Sequence, residues 1–248
     1  LAATAAACSN EVMESWWEDR IGDPPVGLNP DAIRAWRGDF GTVWHQVAID
    51  NDCGIDVCEW IKSRGLLDMI NLPDEYGQAP LLYAVTGEGQ QTEAKARWMM
   101  ANGADVNAVS SSTPIFTIFL CACEQRSLSF LQELAGKVTP EHLSMPSSHG
   151  FSPMQIAFQR NPDYLPIVRM LILRGAVVRP EDFPTTEVAD GASLLDRRRD
   201  LLASLEADLR LNDKILIGLL LGGGVHARPT TSTFDEFDVY NFDTDVLT

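Results

Sequence analysis

The chain has 248 residues, 45% of them hydrophobic, and its 35 acidic against 19 basic side chains leave a formal net charge of −16. That is ample apolar material for a buried core, while the longest apolar run, Ile215 to Leu221, is far short of the roughly 18 residues a membrane span needs. The acidic balance argues against nucleic-acid binding, which relies on a basic face to displace counterions, and favours a protein partner with a basic surface.

The first stretch, Leu1 to Cys8, is small and uncharged, and a helix-like segment, Glu11 to Trp17, follows it. Trp16 and Trp17 are candidate partner anchors, because tryptophans are frequent hot spots. Next, Asn29-Pro30-Asp31 opens a short helix through Trp36, with Asn as its cap and Pro at its first position.

Four short strings then recur: Thr42-Val43-Trp44-His45-Gln46-Val47, Ala79-Pro80-Leu81-Leu82-Tyr83-Ala84, Thr113-Pro114-Ile115-Phe116-Thr117-Ile118 and Ser152-Pro153-Met154-Gln155-Ile156-Ala157. Each is followed by a glycine that closes an apolar run, Gly65, Gly103, Gly136 and Gly175, at distances of 23, 24, 23 and 23 residues. Proline suits a first helical turn, where its missing N–H needs no partner. The preceding Thr or Ser accepts from a free N–H of that turn. The closing glycine supplies the left-handed residue that ends a helix. Each unit therefore reads as helix, turn, helix, then an excursion to the next.

The strings have the shape T-P-L-H-x-A, and the second unit ends Asn102-Gly103-Ala104-Asp105-Val106-Asn107-Ala108. In these letters and in its spacing the chain resembles an ankyrin-repeat protein over residues 39–180. The fold expected is all-α: an ankyrin-repeat solenoid of stacked helix-turn-helix pairs with capping helices and an extended C-terminal tail. Residues 1–38 would be the N-terminal segment and cap, 39–180 four repeats, 181–229 a degenerate fifth repeat serving as C-terminal cap, and 230–248 the tail. In that fifth unit Asp190-Gly191-Ala192-Ser193-Leu194-Leu195 stands for the motif, and Ile215 to Leu221 precedes Gly222. The resemblance implies that partners meet the hairpin tips and the first helix of each pair. Carried onto this chain, the tips are 72–78, 109–112 and 147–151, with Asp74, Glu75, Tyr76, Ser111 and His149 as partner-binding candidates.

The last stretch, Thr230 to Thr248, holds five carboxylates and no basic residue, interleaved with Phe234, Phe237, Tyr240 and Phe242. Such a segment forms no core by itself and orders on binding, either on its own chain or on another. Its four aromatics complete the set of candidate partner contacts.

Five cysteines (Cys8, Cys53, Cys58, Cys121, Cys123) form no disulfide framework and read as reduced, mostly buried thiols. Cys121 and Cys123, two apart on a helix, point about 200° away from each other and make a poor metal pair. His149 to Met154 approaches the G-x-S-x-G nucleophile elbow but lacks its final glycine, and Gly222-Gly223-Gly224 lacks the Lys-Ser/Thr of a phosphate loop. The four histidines are scattered, and His45 fills the motif's histidine position. No set of residues supplies nucleophile, base and oxyanion donor. The expectation is therefore not an enzyme and no cofactor or metal, but a non-catalytic interaction module. The favoured form is a peripheral or scaffolding subunit of a larger assembly, strapped down by its two ends, and the alternative is a free adaptor recruiting one partner. The compartment expected is intracellular: cytoplasmic or nuclear, or an organelle where the N-terminus is the remnant of a targeting peptide.

Overall fold

The computed structural model describes residues 9–20, 28–87, 91–111, 115–184 and 194–206. Among these the regular structure is helical, eleven α-helices without a named strand. The chain divides into two compact units, residues 1–177 and 178–248.

The first unit opens with α1 (Asn10–Arg20) and α2 (Pro30–Ala35). Four helix pairs follow: α3 (Val43–Ile49) with α4 (Ile55–Ser63), α5 (Pro80–Thr86) with α6 (Thr92–Ala101), α7 (Ile118–Gln125) with α8 (Leu128–Ala135), and α9 (Pro153–Arg160) with α10 (Tyr164–Leu173). The first helices pack in chain order, α3 on α5, α5 on α7 and α7 on α9; among the second helices α4 packs on α6 and α8 on α10. One short pair cannot cover its own apolar face, so each is completed by its neighbours. Trp44, Phe119, Phe130 and Phe158 are fully buried in the resulting core.

Caps set the helix starts. The Asn29 side chain accepts from Asp31 N at 2.8 Å with Pro30 next, as the sequence predicts. Ser152 accepts from Gln155 N at 3.0 Å, again with proline in first position. Such caps contribute about 1 kcal/mol each. The third unit departs from expectation. Thr113 and Pro114 lie outside the described residues, and α7 starts four residues beyond that motif, at Ile118, where Thr117 Oγ1 accepts from Leu120 N at 3.1 Å. The residues ahead of Thr117 are engaged otherwise, since Ser110 N donates to the Phe116 carbonyl and Phe116 N to Ser110 Oγ.

Three closing glycines are left-handed, Gly65 at φ +75°, Gly103 at +93° and Gly175 at +82°. After Gly103 and Gly175 the next amide reaches back to the helix: Ala104 N to Met99 O and Ala176 N to Leu171 O, both at 3.0 Å. Gly136 corrects the pattern, because its φ is −78° and the chain leaves α8 through a right-handed turn with Lys137 N bonded to Leu134 O.

The unit ends are tied by hydrogen bonds between residues 31 to 34 apart. Arg34 Nη2 donates to Gly65 O, Asn71 Nδ2 to Gly103 O, Asp105 N to Asn71 Oδ1, Thr139 N to Asn107 Oδ1, and Val177 N to Ser144 Oγ. One rung per unit holds the pairs in register.

The second unit contains a 3-10 turn, Pro180–Asp182, closed by Arg179 N donating to Asp182 Oδ2 at 2.7 Å, and α11 (Leu194–Glu206). The motif segment before α11, the apolar run of the expected fifth repeat and the tail 230–248 lie outside the described residues, as does Leu1 to Cys8.

Candidate functional site

Four turns occupy equivalent places ahead of the first helix of each pair. In the first, Gly38 and Gly41 exchange both backbone hydrogen bonds, and Gly41 has φ +105°. In the second, Asp74 N donates to Gln78 O and Gly77 N to Asp74 O, at 3.0 and 3.1 Å. The third is the Ser110 to Phe116 pairing, and the fourth pairs Ser147 N with Phe151 O and Gly150 N with Ser147 O.

The second turn is braced by a carboxylate. Asp74 Oδ1 accepts from Tyr76 N and Gln78 N, both at 2.8 Å, while Oδ2 accepts from the Tyr83 hydroxyl at 2.5 Å. Asp74 thus spends its carboxylate inside the turn and serves the site by holding it. What the turn presents outward is Tyr76, 53% exposed, beside the exposed Glu75. Ser111 Oγ donates to the Tyr76 carbonyl at 3.4 Å, so Ser111 stands in the next turn against this one. A Cβ on Gly77 would lie 1.8 Å from Ser111 Oγ, which makes glycine obligatory there besides its φ of +72°. Ile115 N donates to Ser148 Oγ at 3.1 Å, carrying the contact to the fourth turn, where His149 is exposed. The structure therefore links the turns of Tyr76, Ser111 and His149 into one row, with Ile115 and Met145 adding exposed apolar surface.

His45 sits behind the row and is fully buried. Thr42 N and the Thr42 hydroxyl both donate to its Nδ1 at 3.0 Å, so Nε2 carries the proton and donates to the Gln78 carbonyl at 3.0 Å. The ring joins the start of α3 to the second turn, and burial pushes its pKa below the ordinary 6.5.

Trp16 and Trp17 separate. Trp17 is wholly buried, edge-on to Trp36 at 5.4 Å between ring centroids, which withdraws it from the surface anchors. Trp16 is half-buried and donates Nε1 to Asp50 Oδ2 at 2.7 Å. The same carboxylate oxygen accepts from Arg20 Nε at 3.3 Å, so α1 is fastened to the end of α3. Phe234, Phe237, Tyr240 and Phe242 lie outside the described residues.

Two polar clusters were not legible in the sequence. Lys95 is fully buried, and its ammonium donates to the carbonyls of Val47, at 2.9 Å, Ala48 and Asp50. Burial pushes its pKa down. Glu93 accepts from the Ser127 backbone at 2.7 Å, the Ser127 hydroxyl at 2.9 Å and Arg97 at 3.1 Å. Burial opposes the Glu93 charge, but these donors outweigh it and hold its carboxyl below the ordinary range.

Cys53, Cys58, Cys121 and Cys123 are free thiols, and burial pushes each of them up, away from thiolate character. Among the described residues no three His, Cys, Asp or Glu side chains gather where they could hold a metal ion, and no helix is long and apolar enough to cross a membrane.

No family model matches the chain, and no curated protein does. Among solved structures it is similar to a chain of a complex between a predatory endopeptidase from Bdellovibrio bacteriovorus and an immunity protein, at 15% identity and a TM-score of 0.50, over 79% of this chain and 95% of that one. At that identity the likeness is one of fold. It nevertheless overturns two expectations, the non-catalytic scaffolding subunit or adaptor and the exclusion of an enzyme. The helical fold of this chain occurs in an enzyme–immunity protein assembly, so an all-α chain without sequence motifs for catalysis is no ground for setting enzyme function aside.

Proposed function

We propose that α3 to α10 form four divergent ankyrin-like units and that the chain belongs to an enzyme–inhibitor pair, as the member that seats its row of turns on an endopeptidase. The observation that carries this reading is Tyr76, half exposed on a turn whose Tyr76 and Gln78 amides are held by the Asp74 carboxylate and whose Tyr76 carbonyl accepts from Ser111 of the next turn. An aromatic held on a stiff turn loses little freedom on binding and is the kind of anchor that dominates protein interfaces. The similarity to a chain from an endopeptidase–immunity protein complex supports the pairing. The net charge of −16 supports a partner with a positive surface, whose encounter it would accelerate.

The test is to recover partners on the tagged full chain from its own cells and to follow casein hydrolysis by the recovered protein as the chain is added back. Stoichiometric loss of hydrolysis is expected, weakened about tenfold or more by Tyr76→Ala or Glu75→Lys. Casein cleavage by the chain alone would place it on the enzyme side instead, and a partner without hydrolase activity would end the reading.

A further inference from the structure

A groove of about 540 Å³ runs between α8 and α10, on helices that carry none of the turn residues described above. Leu128, Leu165, Pro166 and Leu173 give it an apolar floor, and among the described residues Arg169 and Arg174 are the charged ones that line it. Among the described residues no carboxylate lines it, in a chain with nearly two acidic groups for each basic one. Leu173 leaves 66% of its surface in solvent, more than any other large apolar residue described. Arg174 lies across the rim, its Nη2 donating to the Gln132 carbonyl at 3.4 Å.

The chain itself carries the chemical complement of this groove. Residues 230–248 bear Asp235, Glu236, Asp238, Asp243 and Asp245 among Phe234, Phe237, Tyr240 and Phe242, with no basic residue. We propose that the α8–α10 groove receives the acidic-aromatic C-terminal segment of a second copy, its rings on the apolar floor and its carboxylates against Arg169 and Arg174. Bidentate pairing of guanidinium with carboxylate gives such a contact direction, and aromatic burial gives it strength. Reciprocal exchange of the two segments closes a two-fold dimer, so the association stops at two.

The experiment is sedimentation velocity on the full chain across a wide concentration range. A monomer–dimer equilibrium is expected. Both Arg169→Glu/Arg174→Glu and a tail variant with Phe234, Phe237, Tyr240 and Phe242 replaced by Ser should weaken it about tenfold or more, with helical circular dichroism unchanged. Mixing the two variants restores one of the two contacts, the intact groove of the tail variant with the intact tail of the groove variant, so heterodimer should form where neither variant pairs with itself. A strictly monomeric wild-type chain, a dimer indifferent to both sets of substitutions, or no recovery on mixing would overturn the proposal. Peptidase inhibition is measured separately, so its failure leaves the dimer result intact and the reverse.

Discussion

The ammonium of Lys95 donates to the Val47 carbonyl across 2.9 Å, and neither residue reaches solvent. Val47 and Ala48 lie in the last turn of α3, where carbonyls have no partner within the helix. Lys95 on α6 therefore caps α3 from the neighbouring pair, placing positive charge at the negative end of the helix dipole. Removing the amine while keeping the bulk, in Lys95→Met, strands those carbonyls in a dry site. Relief of the buried charge offsets part of the loss, and the net is a destabilisation of about 1–3 kcal/mol, to be read from urea unfolding.

His45 should make stability sensitive to mild acid. Burial holds its folded pKa below 6.5, while the unfolded ring titrates at its ordinary value. Below 6.5 the unfolded state therefore takes up a proton that the folded state refuses, so stability falls with pH until the folded pKa is passed and then levels. Unfolding midpoints between pH 7.5 and 5 should show this decline. His45→Gln should flatten this contribution, at the expense of overall stability, since a glutamine does not reproduce both ring contacts.

Asp74 is expected to act on the turn that bears Tyr76. Asp74→Ala removes three hydrogen bonds at once and should destabilise the protein by about 2 kcal/mol. Asp74→Asn keeps an acceptor for the two amides but turns an NH₂ toward the Tyr83 hydroxyl, and should lose about half as much. Hydrogen exchange at the Tyr76 and Gln78 amides reports the turn directly, and protection should fall there first.

Glycine substitutions should separate the two kinds of unit ending. At Gly103, with φ +93° and open space around a new Cβ, alanine meets no clash and should lose about 1 kcal/mol to backbone strain alone. At Gly136 the backbone is already helical, and the closest approach of a Cβ is 3.3 Å to the Glu133 carbonyl. Gly136→Ala should stay within about 0.5 kcal/mol of the parent, because the lost unfolded-state freedom balances that contact. Thermal melts of the two variants side by side decide the matter.

The parts of the fold legible in the sequence are those where one residue type answers one local demand. Gly103 and Gly175 mark helix ends because few other residues tolerate their φ, and Asn29-Pro30 and Ser152-Pro153 mark starts because cap and proline act within one turn. The third unit misled because the Thr113-Pro114 letters look like the other starts, whereas the start was settled by Thr117 and by Ser110 closing on Phe116 six residues away. Trp16 and Trp17 are neighbours on one helix, and which of them is covered is decided by packing against residues distant in the sequence, Trp36 among them. Lys95 reads as a solvated lysine on an amphipathic helix, since its carbonyl partners lie about 45 residues earlier in the chain. The row of turns was legible through its spacing, but Asp74 stood there as a contact and proved to be a brace. The function was least legible, because binding of the kind proposed needs no fixed set of reactive side chains that a sequence could announce.

The rungs from Arg34 to Gly65, Asn71 to Gly103, Asn107 to Thr139 and Ser144 to Val177 each join one pair only to the next. Damage at one rung therefore weakens one seam between neighbouring units more than the others. Ageing, proteolysis and mutation would then peel such a protein from an end or split it at a seam, leaving fragments that are still folded.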